Sequence, residues 1–82
     1  MLTKEALRSA LAVLPPGHAR VSAAFHLTKT RQSAAARALG VSQATVSHLA
    51  TGVRDANDAE QRKLAKVFGL DVTDLFGESV AA

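Results

Sequence analysis

The sequence predicts an all-α fold, a compact bundle of five to six short helices. Alanine occupies 17 of the 82 positions, and it favours helix while offering only a small side chain to a core. Apolar residues recur at helical spacing in successive short segments, most of which end at a glycine or at the run Pro15-Pro16-Gly17. A chain of this length has room for one domain, divided here into an extra N-terminal helix and turn (1–17), a main domain (18–77) and a disordered tail (78–82).

Two helices are predicted before residue 30. Thr3 can cap the first, and Pro15-Pro16-Gly17 ends it. The second extends from His18 to about Leu27, and Thr30 is the expected N-cap of the helix that follows. The predicted inward positions of these two helices are Leu7, Ala10, Leu11, Leu14, Val21, Ala24 and Phe25.

Residues typical of helix starts and helix ends predict four further helices. The third covers residues 31–39 and ends at Gly40, and the fourth covers residues 43–50 behind the cap Ser42. Asn57 and Glu60 form a capping box for the fifth, and an Asp-x-x-Asp pattern at residues 71–74 can cap a short last helix. The predicted inward positions are Ala35, Leu39, Val41, Val46, Leu49, Leu64, Ala65, Phe68, Val72, Leu75 and Phe76.

Residues 32–51 match a helix-turn-helix, two helices that cross over a three-residue turn. Ala36 occupies the crossing, where little beyond a methyl group fits, Gly40 supplies the turn, and Val46 locks the second helix onto the first. The alternative is a pair of ordinary packed helices, because alanine is abundant and glycine commonly follows a helix. The joint spacing of the three residues favours the helix-turn-helix.

The segment RQSAAARALGVSQATVS (residues 31–47) resembles the Cro/repressor-type helix-turn-helix domains, also called Xre-like or lambda-repressor-like. The resemblance covers about residues 18–76, since GVR (52–54), LAKVFGL (64–70) and DVTDLF (71–76) follow without an insertion. The sequence departs from the family pattern at Arg31, Ala35, Ala50 and Ala56. The small Ala35 leaves a space of several methylenes, which we expect the first helix to fill. The front end has a looser likeness to TrfB-like plasmid repressors.

This resemblance implies binding of double-stranded DNA, with the helix at residues 43–50 in the major groove. Gln43 can accept from adenine N6 and donate to N7, and in the family a glutamine matching Gln32 contacts a phosphate and braces the residue matching Gln43. The candidates for base contact are Gln43, Ala44, Thr45, Ser47 and His48. The candidates for phosphate contact are Lys29, Arg31, Gln32, Ser42, Thr51 and Arg54. Arg20 and Arg37 are expected to be solvated.

Charge is distributed unevenly along the chain. Residues 1–54 hold seven Lys or Arg and one acidic residue, whereas residues 55–82 hold three and six. The positive charge therefore lies on the motif's side of the sequence, where it would attract phosphates, although a solvated basic surface also occurs in proteins that bind no nucleic acid.

A homodimer on a pseudo-palindromic site is expected from the energy of base reading. About three good base contacts at roughly 1 to 3 kcal/mol each barely reach the roughly 4 to 10 kcal/mol that separate specific from non-specific binding, so two copies are needed. The sequence leaves two surfaces open for pairing: the first helix with Leu7, Leu11 and Leu14, or the last with Val72, Phe76 and the tail.

Other classes of function are disfavoured to different degrees. The three histidines lack a carboxylate at metal-ligand or triad spacing, no glycine-rich phosphate loop occurs, and there is no cysteine, so we expect no enzyme, metal site or cofactor. The first residues alternate charged with apolar side chains, which predicts neither a signal peptide nor a membrane span and favours the cytoplasm, with association to the nucleoid. An antitoxin that binds a toxin and autoregulates its operon stays an alternative, as does an adaptor that has lost DNA binding.

Overall fold

The chain forms six helices and no strand in the computed structural model, which describes residues 2–77. The helices are α1 (Lys4–Ala12), α2 (His18–Thr28), α3 (Gln32–Leu39), α4 (Gln43–Thr51), α5 (Asp58–Phe68) and α6 (Val72–Phe76). The predicted all-α class is therefore confirmed. None of the six has both the length and the apolarity needed to cross a bilayer. The predicted tail, residues 78–82, lies outside the described residues, and the division at residue 17 stays a prediction.

Most predicted helix starts are confirmed by side-chain caps. Thr3 Oγ1 accepts from the amide of Ala6 at 3.0 Å, and Asn57 and Glu60 exchange the two hydrogen bonds of a capping box at 2.8 and 3.0 Å. Each satisfies an amide that a helix N-terminus leaves without an internal partner. These starts are thus determined by residues within three positions of one another.

The prediction that Thr30 caps α3 is wrong. The N-cap is Arg31, and the Thr30 hydroxyl shares a hydrogen bond of 2.7 Å with the hydroxyl of Thr28. Lys29 adopts a left-handed conformation (φ 55°), which lets the Thr30 amide donate to the carbonyl of Phe25 at 3.2 Å. Thr30 therefore belongs to the C-terminal cap of α2, because its amide donates to a carbonyl that the end of this helix leaves without an internal donor.

The core is built from alanine and leucine around one aromatic pair. Phe25 and Phe68 meet edge to face with ring centroids 4.9 Å apart, a favoured geometry for two aromatic rings. Five of the buried positions are occupied by alanine, as the composition predicts. The buried apolar residues are Leu7, Leu11, Val21, Ala24, Phe25, Ala35, Ala36, Leu39, Val46, Leu49, Ala50, Leu64, Ala65, Phe68, Leu70 and Leu75.

The first helix does not occupy the position expected from the sequence. Its main neighbours are α2 and α6, whereas α3 packs against α4 and α5. Ala35 is fully buried on α3, so the space beside it is closed without α1 as a main neighbour. Leu7 and Leu11 are nevertheless buried, because α1 covers the other end of the core, where α2 and α6 meet.

Two arginines tie α1 and α2 to α6. Arg8 donates to Asp74 Oδ2 at 3.0 Å and to Asp71 Oδ2 at 2.9 Å. Arg20 donates to the backbone carbonyls of Leu14 at 2.9 Å and of Asp74 at 3.2 Å. The expectation that Arg20 is solvated is therefore wrong, because its guanidinium donates to one carbonyl just after α1 and to one in the last turn of α6, where a helix offers no internal donor.

The contacts of Asp74 predict an acid-sensitive stability. Burial raises the pKa of the Asp74 carboxyl, but hydrogen bonds from the Asp71 amide and the Arg8 guanidinium outweigh burial and hold this pKa below its usual value. A lowered pKa stabilises the fold above the unfolded-state value of about 3.9, and this contribution is lost as pH falls through the folded-state value. In Asp74→Asn, the unfolding free energy is expected to depend less steeply on pH below about pH 4. The reason is that unfolding of the variant no longer takes up the proton, up to about one, that Asp74 binds in the parent.

Urea denaturation at a series of pH values measures this slope. Asp58→Asn is the matched control, because Asp58 is exposed at the start of α5 and far along the chain from Arg8. Identical slopes in the parent and Asp74→Asn would show that the carboxyl contributes nothing to acid sensitivity.

Candidate nucleic-acid interface

A turn of three residues, 40–42, joins α3 to α4. Gly40 takes a left-handed conformation with φ 72°, which glycine adopts at little cost, and the Val41 amide donates to the carbonyl of Ala36 at 3.0 Å. Ser42 Oγ then accepts from the amide of Thr45 at 3.1 Å and starts α4. The predicted turn glycine and cap are both confirmed.

The inner face of α4 is fully occupied by packing. Val46, Leu49 and Ala50 are at most 4% exposed, and α4 packs against both α2 and α3. Ala36 on α3 is also buried, which agrees with a close crossing of the two helices. Because it is held from two sides, α4 presents a rigid outer face.

The outer face of α4 carries the residues predicted to contact bases. Gln43, Ala44 and His48 are exposed, whereas Thr45 and Ser47 are half-buried. At about 100° per residue, positions 43, 44, 47 and 48 fall within an arc of about 140° opposite the buried side. A helix of nine residues is about 13 Å long, and the major groove, about 12 Å wide, admits such a helix.

Some hydroxyl groups near this face already have partners. The Ser42 and Thr45 hydroxyls lie 2.9 Å apart, and the Thr51 hydroxyl donates to the carbonyl of Ser47 at 2.9 Å. A hydroxyl that donates to the backbone can still accept a hydrogen bond. Gln43 and His48 make no side-chain hydrogen bond within residues 2–77, so their polar groups remain available on the outer face.

The residues predicted to contact phosphates lie at two places. Lys29 and Arg31 are exposed where α2 meets α3, and Gln32 is half-buried at the first position of α3. In the part of the chain that the structure describes, no hydrogen bond joins Gln32 to Gln43, so the bracing implied by the resemblance stays a prediction. Ser42, Thr51 and Arg54 flank the two ends of α4 and are exposed.

Arg54 has a structural partner that the sequence did not reveal. One of its guanidinium nitrogens lies 2.9 Å from Glu60 Oε2, and the Glu60 side chain is only 9% exposed. Glu60 uses its other oxygen to accept from the amide of Asn57. The ion pair therefore fixes the loop after α4 against α5, and about half of the Arg54 side chain stays exposed.

Charge is segregated along the helices. No acidic residue occurs between residues 6 and 54, a stretch that includes all of α2, α3 and α4, whereas arginine, lysine and histidine occur throughout it. The acidic side chains among residues 2–77 lie on α1, in the loop before α5, on α5, at the N-cap of α6 and on α6 itself. The α3–α4 unit therefore has a positive balance, which favours a polyanionic partner.

The sequence also matches a known protein family over much of its length. A family model described as helix-turn-helix, of the Cro/C1 type, matches residues 28–75, which is more than half of the chain. The chain belongs to the Cro/C1-type helix-turn-helix family. The match confirms the resemblance drawn from residues 31–47, and it begins within the last turn of α2 and ends near the last residue of α6.

Membership of the Cro/C1-type family identifies the chain as a DNA-binding regulator. The family is one of DNA-binding regulatory domains and not of enzymes. No curated protein and no solved structure matches the chain significantly. The α1 helix lies outside the matched residues, although two of its leucines belong to the Cro/C1-type domain's core.

Proposed function

We propose that this Cro/C1-type regulator is a transcriptional repressor that binds a pseudo-palindromic operator as a homodimer, with α4 in the major groove. The observation that carries the proposal is the exposed and largely polar outer face of α4, which lies in a stretch of chain without acidic residues. A bound dimer would cover promoter DNA and exclude the polymerase. Such a protein would act in the cytoplasm, on the nucleoid.

Five residues of α4 would read bases in this proposal. Gln43 is the first, because its exposed amide can both donate to and accept from adenine. Ala44 would offer a methyl group to the thymine methyl, and His48 would donate or accept one hydrogen bond. Thr45 and Ser47 are half-buried, so they would reach only the bases or sugars nearest the helix.

Contacts with the phosphates would position α4. Lys29 and Arg31 would contact one strand beside the first turn of α3, together with the amide group of Gln32. Ser42 and Thr51 would use the lone pairs and donors left by their hydrogen bonds within the protein. Arg54 would donate from the guanidinium nitrogens that do not face Glu60.

No feature of residues 2–77 specifically favours the antitoxin alternative, whereas the exposed outer face of α4 supports the reading of DNA. Co-purification of a second small protein that blocks DNA binding would favour the antitoxin function.

Selection of bound sequences from random duplex DNA tests the repressor proposal. The parent chain is expected to enrich a pseudo-palindrome. Gln43→Ala is expected to relax one base position in each half-site by about 1 to 3 kcal/mol, because it removes one bidentate contact. Lys29→Ala is expected to weaken all sequences alike and to reduce the dependence of binding on salt, because it removes a phosphate contact.

Lys4→Ala is the control for loss of one positive charge, since Lys4 lies at the start of α1, outside the residues proposed to contact DNA. No enriched sequence with the parent chain would contradict the proposal. A repressor must also reduce transcription in vitro when the selected site overlaps a promoter, and increased transcription would identify an activator.

A further inference from the structure

A groove lies where the start of α1 meets the ends of α2 and α5. Its volume is about 570 Å³, within the range of about 300 to 1,000 Å³ that is typical of sites for small molecules. Its lining among residues 2–77 includes no residue of α3 or α4. The groove is therefore separate from the face of α4 that is proposed to read bases.

The interior of the groove is largely apolar. Leu7 and Phe68 line it and are buried, whereas Leu2 and Leu27 line it and stay 43% and 39% exposed. Those two are half of the four large apolar residues that stay exposed among residues 2–77. A single exposed leucine is common on protein surfaces, but two that meet in one groove form a continuous apolar surface. Such a surface favours an apolar ligand that displaces water from it.

Two lysines give the groove a positive charge. Lys4, the first residue of α1, and Lys29, the C-cap of α2, both line the groove and are exposed. Neither forms a salt bridge with a side chain among residues 2–77, and no acidic side chain of that range lines the groove. The carboxylate of Asp74, which lies within Coulomb reach of Lys4, is already bound by Arg8. The lysines are therefore available to an anionic ligand.

The helix ends at the groove act in opposite directions. The start of α1 favours an anion, whereas the ends of α2 and α5 oppose one. The opposition is weakened because four amides donate to carbonyls in the last turns of α2 and α5, those of Lys29, Thr30, Gly69 and Leu70. A helix end carries only about half an elementary charge and each lysine a full one. The lysines therefore determine that the groove prefers an anion.

We propose that this groove binds a single-chain alkyl carboxylate, with the alkyl chain on the apolar interior and the carboxylate at Lys4 and Lys29. Both parts of the ligand are needed, because the groove combines an apolar surface with two cations at its edge. An inorganic anion would leave the leucines in contact with water, and an uncharged alkane would leave the lysines without a partner.

Lys29 connects the groove to the binding of DNA. In the proposed complex this lysine contacts a phosphate, and an ammonium group held by a carboxylate in the groove cannot keep that contact. A bound alkyl carboxylate would therefore lower the affinity for the operator by about fivefold or more, and the operator would lower the affinity for the ligand by the same factor. This regulation rests on the proposed function, whereas the binding of the ligand does not.

Amide NMR of the full chain without DNA, titrated with sodium decanoate, tests the binding site. Decanoate is expected to bind with a dissociation constant of about 1 mM or lower and to shift the amide signals of Leu7, Thr28 and Gly69. Acetate has the carboxylate without the long chain, and decyltrimethylammonium has the chain with a cationic head. Both are expected to bind at least about tenfold more weakly.

Two variants with matched controls locate the ligand. Lys4→Ala is expected to raise the dissociation constant for decanoate by about threefold or more, whereas Lys63→Ala, at an exposed lysine of α5 outside this groove, is not. Leu27→Glu is expected to raise it by about tenfold or more, because it places a carboxylate on the apolar surface. Val13→Glu makes the same change at a position 84% exposed and outside the groove, so it is expected to bind like the parent. Circular dichroism verifies that all four variants fold.

Titration of the selected operator with and without saturating decanoate tests the regulation. The parent is expected to lose operator affinity by about fivefold or more when decanoate is present. Lys4→Ala is expected to bind the operator like the parent, since Lys4 lies outside the residues proposed to contact DNA. At the same decanoate concentration this variant is expected to lose less operator affinity, because less ligand is bound. An operator affinity that decanoate leaves unchanged would overturn the regulation.

Three results would overturn the binding site: no binding at about 5 mM decanoate, decyltrimethylammonium binding as tightly as decanoate, or Lys4→Ala and Leu27→Glu both binding like the parent. Binding to vesicles of anionic phospholipid without binding to dissolved decanoate would identify a membrane-binding surface and would also overturn it. If decanoate binds in the groove while random duplex DNA yields no enriched sequence, the ligand site stands and the repressor proposal falls.

Discussion

Ala44→Glu is expected to weaken operator binding by about 100-fold, or about 2.8 kcal/mol, without unfolding the protein. Ala44 is exposed on the outer face of α4, one residue after the helix begins, so a longer side chain meets no core residue. In the proposed complex the new carboxylate would approach base edges and phosphates with no cation to neutralise it. Its position in the first turn of α4 is compatible with the helix dipole, which favours an acidic residue there.

Titration of a labelled duplex carrying the selected site measures this effect. Ala12→Glu makes the same change in charge at an exposed position at the end of α1, and we expect it to lower affinity only slightly. Because α4 is the element proposed to enter the groove, equal losses in the two variants would indicate an effect of net charge alone and would contradict the assignment of α4.

Leu11→Ala is expected to lower the free energy of unfolding by about 2 to 5 kcal/mol. Leu11 is fully buried, and its removal leaves a cavity where α1 meets the rest of the core. A domain of this length is expected to have a total stability of only about 4 to 12 kcal/mol, so the variant would approach the limit of folding at 37 °C. The result bears on the family as well, because α1 lies outside the residues that match the Cro/C1-type model.

Guanidinium denaturation followed by circular dichroism provides the measurement. Val13→Ala, two residues away at a position 84% exposed, is expected to change stability by less than about 0.5 kcal/mol. A small effect of Leu11→Ala would mean that α1 contributes little to the free energy of unfolding, contrary to what the burial of its leucines predicts.

The sequence predicted the helices of this protein well because their signals are local. The capping box of Asn57 and Glu60, the cap of Ser42 and the turn glycine Gly40 each act over three or four residues, the reach of helical hydrogen bonding. The inward faces of α3 and α4 followed from periodicity in the same way. The exception is Thr30, where a left-handed lysine extended the end of α2 and moved the next cap by one residue.

The candidate site was predictable where it depends on local signals within one helix, and not where it depends on contacts between separate elements. Periodicity separates the outer residues of α4, such as Gln43 and His48, from buried Val46, because all of them lie on one helix. Periodicity cannot indicate that Arg54 pairs with Glu60. That relation depends on how the loop after α4 meets α5.

By itself the sequence determined the all-α class, the helix-turn-helix and the residues that α4 turns outward, since these depend on neighbours within about one helical turn. Only the tertiary structure decided where α1 packs and which arginines serve the fold. Arg8 and Asp74 are 66 positions apart, and Arg20 reaches a carbonyl 54 positions away. Contacts over such separations depend on the packing of whole helices, which no local pattern of residues specifies.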